Sequence, residues 1–113
     1  MGAGFHGGFG GTKGATTVYE GTSKSSALSS VPSFPKEIQS SVKSFFKGGS
    51  NHYNRFSVEK LDNGNYKLKM ENPGRVPGSK AVYCKIVDSE GHTIRVYKET
   101  YDPNGKLVHT KEK

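Results

Sequence analysis

The chain has 113 residues, 31% of them apolar and 15 of them glycine, with a formal net charge of +7. That length supports one domain with a small core, and its single cysteine, Cys84, excludes an internal disulfide and a Cys-rich zinc site. No apolar run approaches the roughly 20 residues that span a bilayer, and the first residues lack the apolar stretch of a signal peptide.

Residues 1–31 read as a flexible tail or linker. "MGAGFHGGFGGTKG" carries seven glycines in its fourteen positions, and "GTSKSSALSS" is mostly Ser and Thr, a composition that favours flexibility over packing. The glycines are not a phosphate loop, because "GGFGGTKG" lacks both the Gly-Lys-Ser/Thr ending and a preceding apolar strand. Such a start reads as the junction with something longer. Residues 32–113 then read as one compact domain. In "SFPKEIQSSVKSFFKGG", Ile38, Val42, Phe45 and Phe46 fall on one face of a helix. Ser33 is placed to cap it, Pro35 fits its first turn and Gly48 stops it.

After the helix the period changes from 3.6 to 2. "RFSVEKL", "NYKLKME", "KAVYCKIVD", "TIRVYKETY" and "KLVHTKE" read as strands. The connections "DNG", "DSEG" and "DPNG" each offer Asp to bond the local backbone and Gly for a positive φ. The connection "NPGRVPGS" is longer and richer in Pro than a hairpin needs. The fold expected is α+β: one N-terminal amphipathic helix packed on a four- to five-stranded antiparallel meander.

Alternation assigns the faces. Phe56, Val58, Tyr66, Leu68, Met70, Val82, Cys84, Ile86, Ile94, Val96 and one of Leu107 or Val108 are expected to meet the helix. Lys67, Lys69, Glu71, Ala81, Tyr83, Lys85, Arg95, Tyr97, Glu99 and Tyr101 are expected on an open face. There, cations interleave with tyrosines, as on sheets that hold single-stranded RNA or DNA; a solvated sheet face is the plainer reading. Arg75 and Lys80 lie on the loop at its rim.

The acids are scattered and three of them sit in turns, so no metal site and no cofactor is expected. Metal-independent RNA cleavage needs less: a base, an acid, and cations for the developing phosphate charge. The catalytic candidates are His109, Arg95, Lys85 and Tyr97; the nucleic-acid-binding candidates are Arg75, Lys80, Lys69, Lys67, Tyr83 and Tyr101. His52 follows the helix and can reach the sheet edge, His92 sits in a turn, and His6 lies in the glycine-rich start.

The segment "NPGRVPGSKAVYCKIVDSEGHTIRVYKETYDPNGKLVHTKEK" resembles the C-terminal effector domains of bacterial polymorphic toxins, of the contact-dependent inhibition and LXG types. The features that carry the resemblance are the "PGRVPGSKAVY" loop and strand and the closing "TYDPNGKLVHTKEK". A helix followed by an antiparallel meander is similar to the barnase/EndoU/colicin/RelE group of RNases, although members of that group often have two helices. The resemblance implies an antibacterial toxin that cleaves RNA, is delivered from the cell surface or by secretion on a larger carrier, and acts in the target-cell cytoplasm. It also implies an acidic immunity protein that covers the cationic face. Two alternatives use the same face: a non-catalytic nucleic-acid-binding module and a partner-binding β-domain.

Overall fold

The computed structural model describes residues 15–48 and 53–112. The glycine-rich start, His6 and His52 lie outside the described residues. In chain order the elements are β1 (Thr16–Gly21), α1 (Lys24–Ser29), a 3-10 turn (Val31–Ser33), α2 (Lys36–Lys47), β2 (Arg55–Lys60), β3 (Tyr66–Pro73), β4 (Lys80–Val87), β5 (Thr93–Tyr101) and β6 (Leu107–Glu112). All six strands join one antiparallel sheet in the order β1-β2-β3-β4-β5-β6. The α+β class is as expected, with one more strand and one more helix.

Both additions fall in the stretch expected to be a tail. Ser23 caps α1 by accepting from the Ser26 N–H at 3.1 Å. Ala27, Val31 and Phe34 then recur at helical spacing and are all buried. Tyr19 of β1 packs its ring edge-on to Phe34, with centroids 6.5 Å apart, and donates to Ser26 Oγ at 2.9 Å. Small polar residues therefore cover a genuine apolar seam rather than a linker.

In α2, Ile38, Val42 and Phe46 are fully buried, while Phe45 lies at the margin of the core. Glu37 in the first turn and Lys47 in the last complement the helix dipole. The expected cap is displaced: Pro35 occupies the N-cap, and the Ser33 hydroxyl donates to the Ser30 carbonyl in the preceding turn. Gly48 ends the helix at φ −74°, so its role there is not the left-handed one. Phe46 meets Phe56 edge to face at 5.5 Å, which ties α2 to the sheet over β2 and β3. No helix among the described residues is long and apolar enough to cross a membrane.

The short turns behave as their residues dictate. Gly64, Gly91 and Gly105 adopt φ values of 90°, 89° and 85°. Asp88 Oδ1 accepts from the N–H groups of Glu90 and His92, and Asp102 Oδ1 from those of Asn104 and Lys106. In the first turn Asn63, not Asp62, takes this role towards Asn65.

The β3–β4 connection overturns the expected assignment of faces. Its loop, 74–79, pairs Pro73 with Lys80 and Leu68 with Lys85. Odd residues of β4 therefore share a face with even residues of β3, and a shift of one residue sends every side chain to the other side. Ala81, Tyr83 and Lys85 lie on the helix-bearing face, beside Val96 and Lys98 of β5. Val82, Cys84 and Ile86 lie on the opposite face and join Tyr97 and Tyr101 in a second small cluster. Ile94, Leu107 and Val108 are exposed rather than core. Irregularities next to them, between Ile86 and Val87 and between Thr100 and Tyr101, break the simple alternation.

Candidate functional site

The ten candidate residues divide between two faces. Lys67, Lys69, Lys80, Arg95, Tyr97 and Tyr101 belong to the face away from the helices; Tyr83, Lys85 and His109 belong to the helix-bearing face; Arg75 stands on the loop between hairpins. The four catalytic candidates are therefore not one constellation. His109 and Lys85 are separated by the sheet from Arg95 and Tyr97.

The face away from the helices carries its own counterions. Lys69 Nζ lies 2.8 Å from Glu59, whose carboxylate is almost fully buried, and Lys80 Nζ lies 3.3 Å from Glu71. Arg95 grips Glu112 through both Nε and its terminal nitrogen. Its guanidinium also lies 4.1 Å above the Tyr97 ring, with Lys67 Nζ 5.9 Å from the same centroid. Tyr101 donates to Glu99 at 2.9 Å beneath Lys80.

These partners set the titrations. The Glu112 hydrogen bond raises the Arg95 pKa, and Arg95 in turn holds the Glu112 carboxyl below its usual range. Burial pushes the Tyr97 phenol up, as it does Tyr101, whose bond to Glu99 adds to the effect. Burial also raises the Cys84 thiol to about 11. Cations and carboxylates on this face alternate over a small apolar cluster. This is a compensated surface, not a cationic one.

The helix-bearing face is different where the helices end. The helices pack on its β1–β3 side and reach Val87 at the end of β4, leaving the rest of β4, with β5 and β6, uncovered. A pocket of about 640 Å³ opens there. Tyr53, Tyr83, Lys98, Thr100, Asn72 and Val108 line it, and Arg75 and Val76 form its lip. Lys80 and Tyr101 reach its rim, although the Lys80 ammonium is turned to Glu71. The Tyr53 and Tyr83 rings meet edge to face at 5.8 Å, and Lys98 Nζ lies 5.5 Å from the Tyr83 centroid. Burial, with Tyr83 alongside, raises the Tyr53 phenol to about 12.

The lip is braced. Gly74 N–H donates to the Ser79 carbonyl at 2.8 Å, and Ser79 donates back to the Val76 carbonyl through both its N–H and its hydroxyl. Gly78, at φ 90°, sits so close to Pro103 that an added Cβ would lie 3.2 Å from the proline ring. The loop bearing Arg75 thus leans on the β5–β6 turn.

Around the pocket, His109 stands opposite Thr100 on the neighbouring strand, and Lys111 opposite Lys98. No Asp or Glu of β4, β5 or β6 shares this face. Asp102, in the turn beside the pocket, is engaged with backbone N–H groups. Among the described residues no group of three His, Cys, Asp or Glu is placed to hold a metal ion.

Sequence reasoning missed Tyr53, Asn72, Lys98, Thr100 and Lys111. Lys98 and Lys111 share the alternation of Val96 and His109, so a correct β4 parity would have exposed them. Tyr53 precedes β2, and no periodic signal marks it. Against known proteins, the chain matches no family model, no curated protein and no solved structure.

Proposed function

We propose that this chain is an RNA-cleaving effector domain whose site is the uncovered β4–β6 half of the helix-bearing face. The observation that carries the reading is charge segregation. The opposite face balances its cations with Glu59, Glu71, Glu99 and Glu112, whereas the pocket face presents Arg75, Lys85, Lys98 and Lys111 with no strand carboxylate. Tyrosine rings line the pocket among those cations, the combination that holds unpaired nucleotides through stacking and phosphate contacts.

In the proposed reaction the substrate's 2′-oxygen attacks the adjacent phosphorus and the bond to the 5′-oxygen breaks, leaving a 2′,3′-cyclic phosphate. His109 takes the 2′ proton, and the Tyr83 phenol donates one to the departing 5′-oxygen. Arg75 and Lys98 balance the charge that builds on the phosphoryl oxygens. No metal enters this scheme. A domain of this kind fits a bacterial toxin that travels on a larger carrier and is silenced in its producer by an acidic immunity protein, for which the same cationic face supplies fast electrostatic association.

Expression in a bacterium with total RNA run on a gel tests the reading. Wild type should produce discrete RNA fragments without added metal. His109→Ala should lower cleavage by about 100-fold or more, and Lys98→Ala and Arg75→Ala should lower it as well. Arg95→Ala, on the compensated face, should leave cleavage intact. Stable RNA with wild type overturns the cleavage reading. A second reading, a non-catalytic RNA-binding module, is favoured by His109 being the one imidazole described on this face. Salt-sensitive binding without fragments would identify it.

A further inference from the structure

In a sheet, residues directly opposite each other on one face bring their Cβ atoms within about 5 Å, and like charges in such pairs are destabilising. This chain respects that rule on one face and breaks it on the other. Away from the helices, Arg55 stands opposite Glu71 and Lys67 opposite Glu59. On the pocket face, Lys98 stands opposite Lys111. Lys85, opposite Val96 and so two positions from Tyr83, the β4 partner of Lys98, is the diagonal neighbour of Lys98 on β4. Among the described residues none of these three lysines forms an ion pair. The result is a line of positive charge running across three strands, with the Tyr83 ring beneath Lys98.

Resting on the RNA reading above, we propose that Lys85, Lys98 and Lys111 form a phosphate track for one unpaired RNA strand, which crosses β4, β5 and β6 and seats a base in the pocket against Tyr53 and Tyr83. Strand spacing is about 4.8 Å, and diagonal neighbours stand roughly 7–8 Å apart. Flexible lysine stems adjust that spacing to successive phosphates of an extended strand. A base enters the pocket only when it is free of a partner, since in a duplex its edge is paired and its faces are stacked. The 640 Å³ volume lies within the range of sites that hold a nucleotide-sized ligand. The substrate class is therefore single-stranded RNA or a loop. The like-charge pair also gives the bound phosphate a second role, because it relieves a repulsion that the empty face carries.

The test uses the whole chain and a short unstructured 2′-O-methyl RNA, which lacks the nucleophilic hydroxyl and remains uncut. Affinity is measured by fluorescence anisotropy across a salt series. For single strands the slope of log K against log salt is about −0.7 per phosphate neutralised. Lys85→Ala, Lys98→Ala and Lys111→Ala should each reduce that slope by about 0.7, and the triple variant by about 2. Lys67→Ala, on the other face, should leave it unchanged. A duplex of the same sequence should bind at least tenfold more weakly, by the cost of freeing a base. Melting temperatures provide a second readout on the same variants. Lys111→Ala should raise Tm by roughly 2 °C at low salt, with the gain fading at high salt, because a repulsion is removed.

RNA binding with an unchanged slope in the triple variant would overturn the track and leave the RNA reading standing. Equal affinity for the duplex would overturn the single-strand assignment alone. No binding by wild type would overturn the RNA reading, and the track with it.

Discussion

Glu59 illustrates how a charge becomes structural. Its carboxylate lies almost wholly out of water, and one oxygen is held by Lys69 while the other, Oε1, has no hydrogen-bond partner among the described residues. Such a pair is poor evidence of net stabilisation, because desolvating two ions costs several kcal/mol. Removing one partner is a different matter. Lys69→Met leaves a buried carboxylate without its counterion and should cost about 3 kcal/mol in urea unfolding. Replacing both, Lys69→Met with Glu59→Leu, should recover most of that loss. If the single and double variants unfold at the same urea concentration, the pair is not coupled and Glu59 finds its solvation elsewhere. The same residue shows why the sheet face was misjudged. "RFSVEKL" reads as a strand that alternates correctly, but nothing in that run says that Glu59 will stand opposite Lys67 and pair with Lys69. That knowledge needs the partner strand and its register.

At the scale of elements, β2 to β6 and their three short turns were legible because each run carries period-2 alternation and each turn a glycine in place. β1 and α1 were not, because "TTVYEGTSKSSALSS" is dominated by small polar residues whose apolar members, Tyr19, Ala27, Val31 and Phe34, are spread across a strand, a helix and a turn. The pocket was illegible for another reason: a loop's residue count decides parity, and "NPGRVPGS" does not announce how many of its residues stay paired. β3 in fact runs on through Asn72 to Pro73.

The turns also differ in what surrounds them, which separates two otherwise equivalent glycines. Gly91 and Gly105 have nearly the same positive φ. An added Cβ at Gly105 meets nothing within 4 Å, whereas at Gly91 it would lie 2.3 Å from the Glu37 carbonyl oxygen. Gly91 is where the β4–β5 turn docks on α2, with Ser41 Oγ donating to the Gly91 carbonyl at 2.6 Å. Gly105→Ala should therefore cost about 1 kcal/mol, the backbone term alone. Gly91→Ala should cost about 3 kcal/mol or more, because helix and turn must separate. Equal midpoints for the two variants in chemical denaturation would show that this docking contributes nothing to stability.

Taken whole, the molecule is a sheet with two cores on opposite faces, and its behaviour at high pH should report on both. The helix-side core is aliphatic and aromatic, with Tyr66 buried in it and Tyr19 and Tyr53 packed against it. The smaller cluster is built on Cys84 and Tyr97, with Tyr101 against it, and Tyr53 lies over the pocket. Burial raises all four of these acids, Cys84 from 9.0 to about 11 and Tyr53 from 10.0 to about 12. Their folded forms hold a proton that the unfolded chain gives up sooner. The unfolded state then binds fewer protons, and stability falls with rising pH. The contribution is fully present below about pH 9, begins to fall as the unfolded thiol ionises, and for Cys84 is lost by about pH 11; the tyrosines extend the decline beyond that. Thermal melts followed by circular dichroism should therefore give a flat Tm from about pH 7 to 9 and a steady fall above it. Cys84→Ala removes the first titrating group, so its Tm should start lower for want of side-chain volume and stay flat to about pH 10, where the unfolded tyrosines begin to ionise. A fall that begins at the same pH in the variant would assign the alkaline limb to the tyrosines alone, and with it the sensitivity of the face away from the helices to Tyr97 and Tyr101 rather than to the buried thiol.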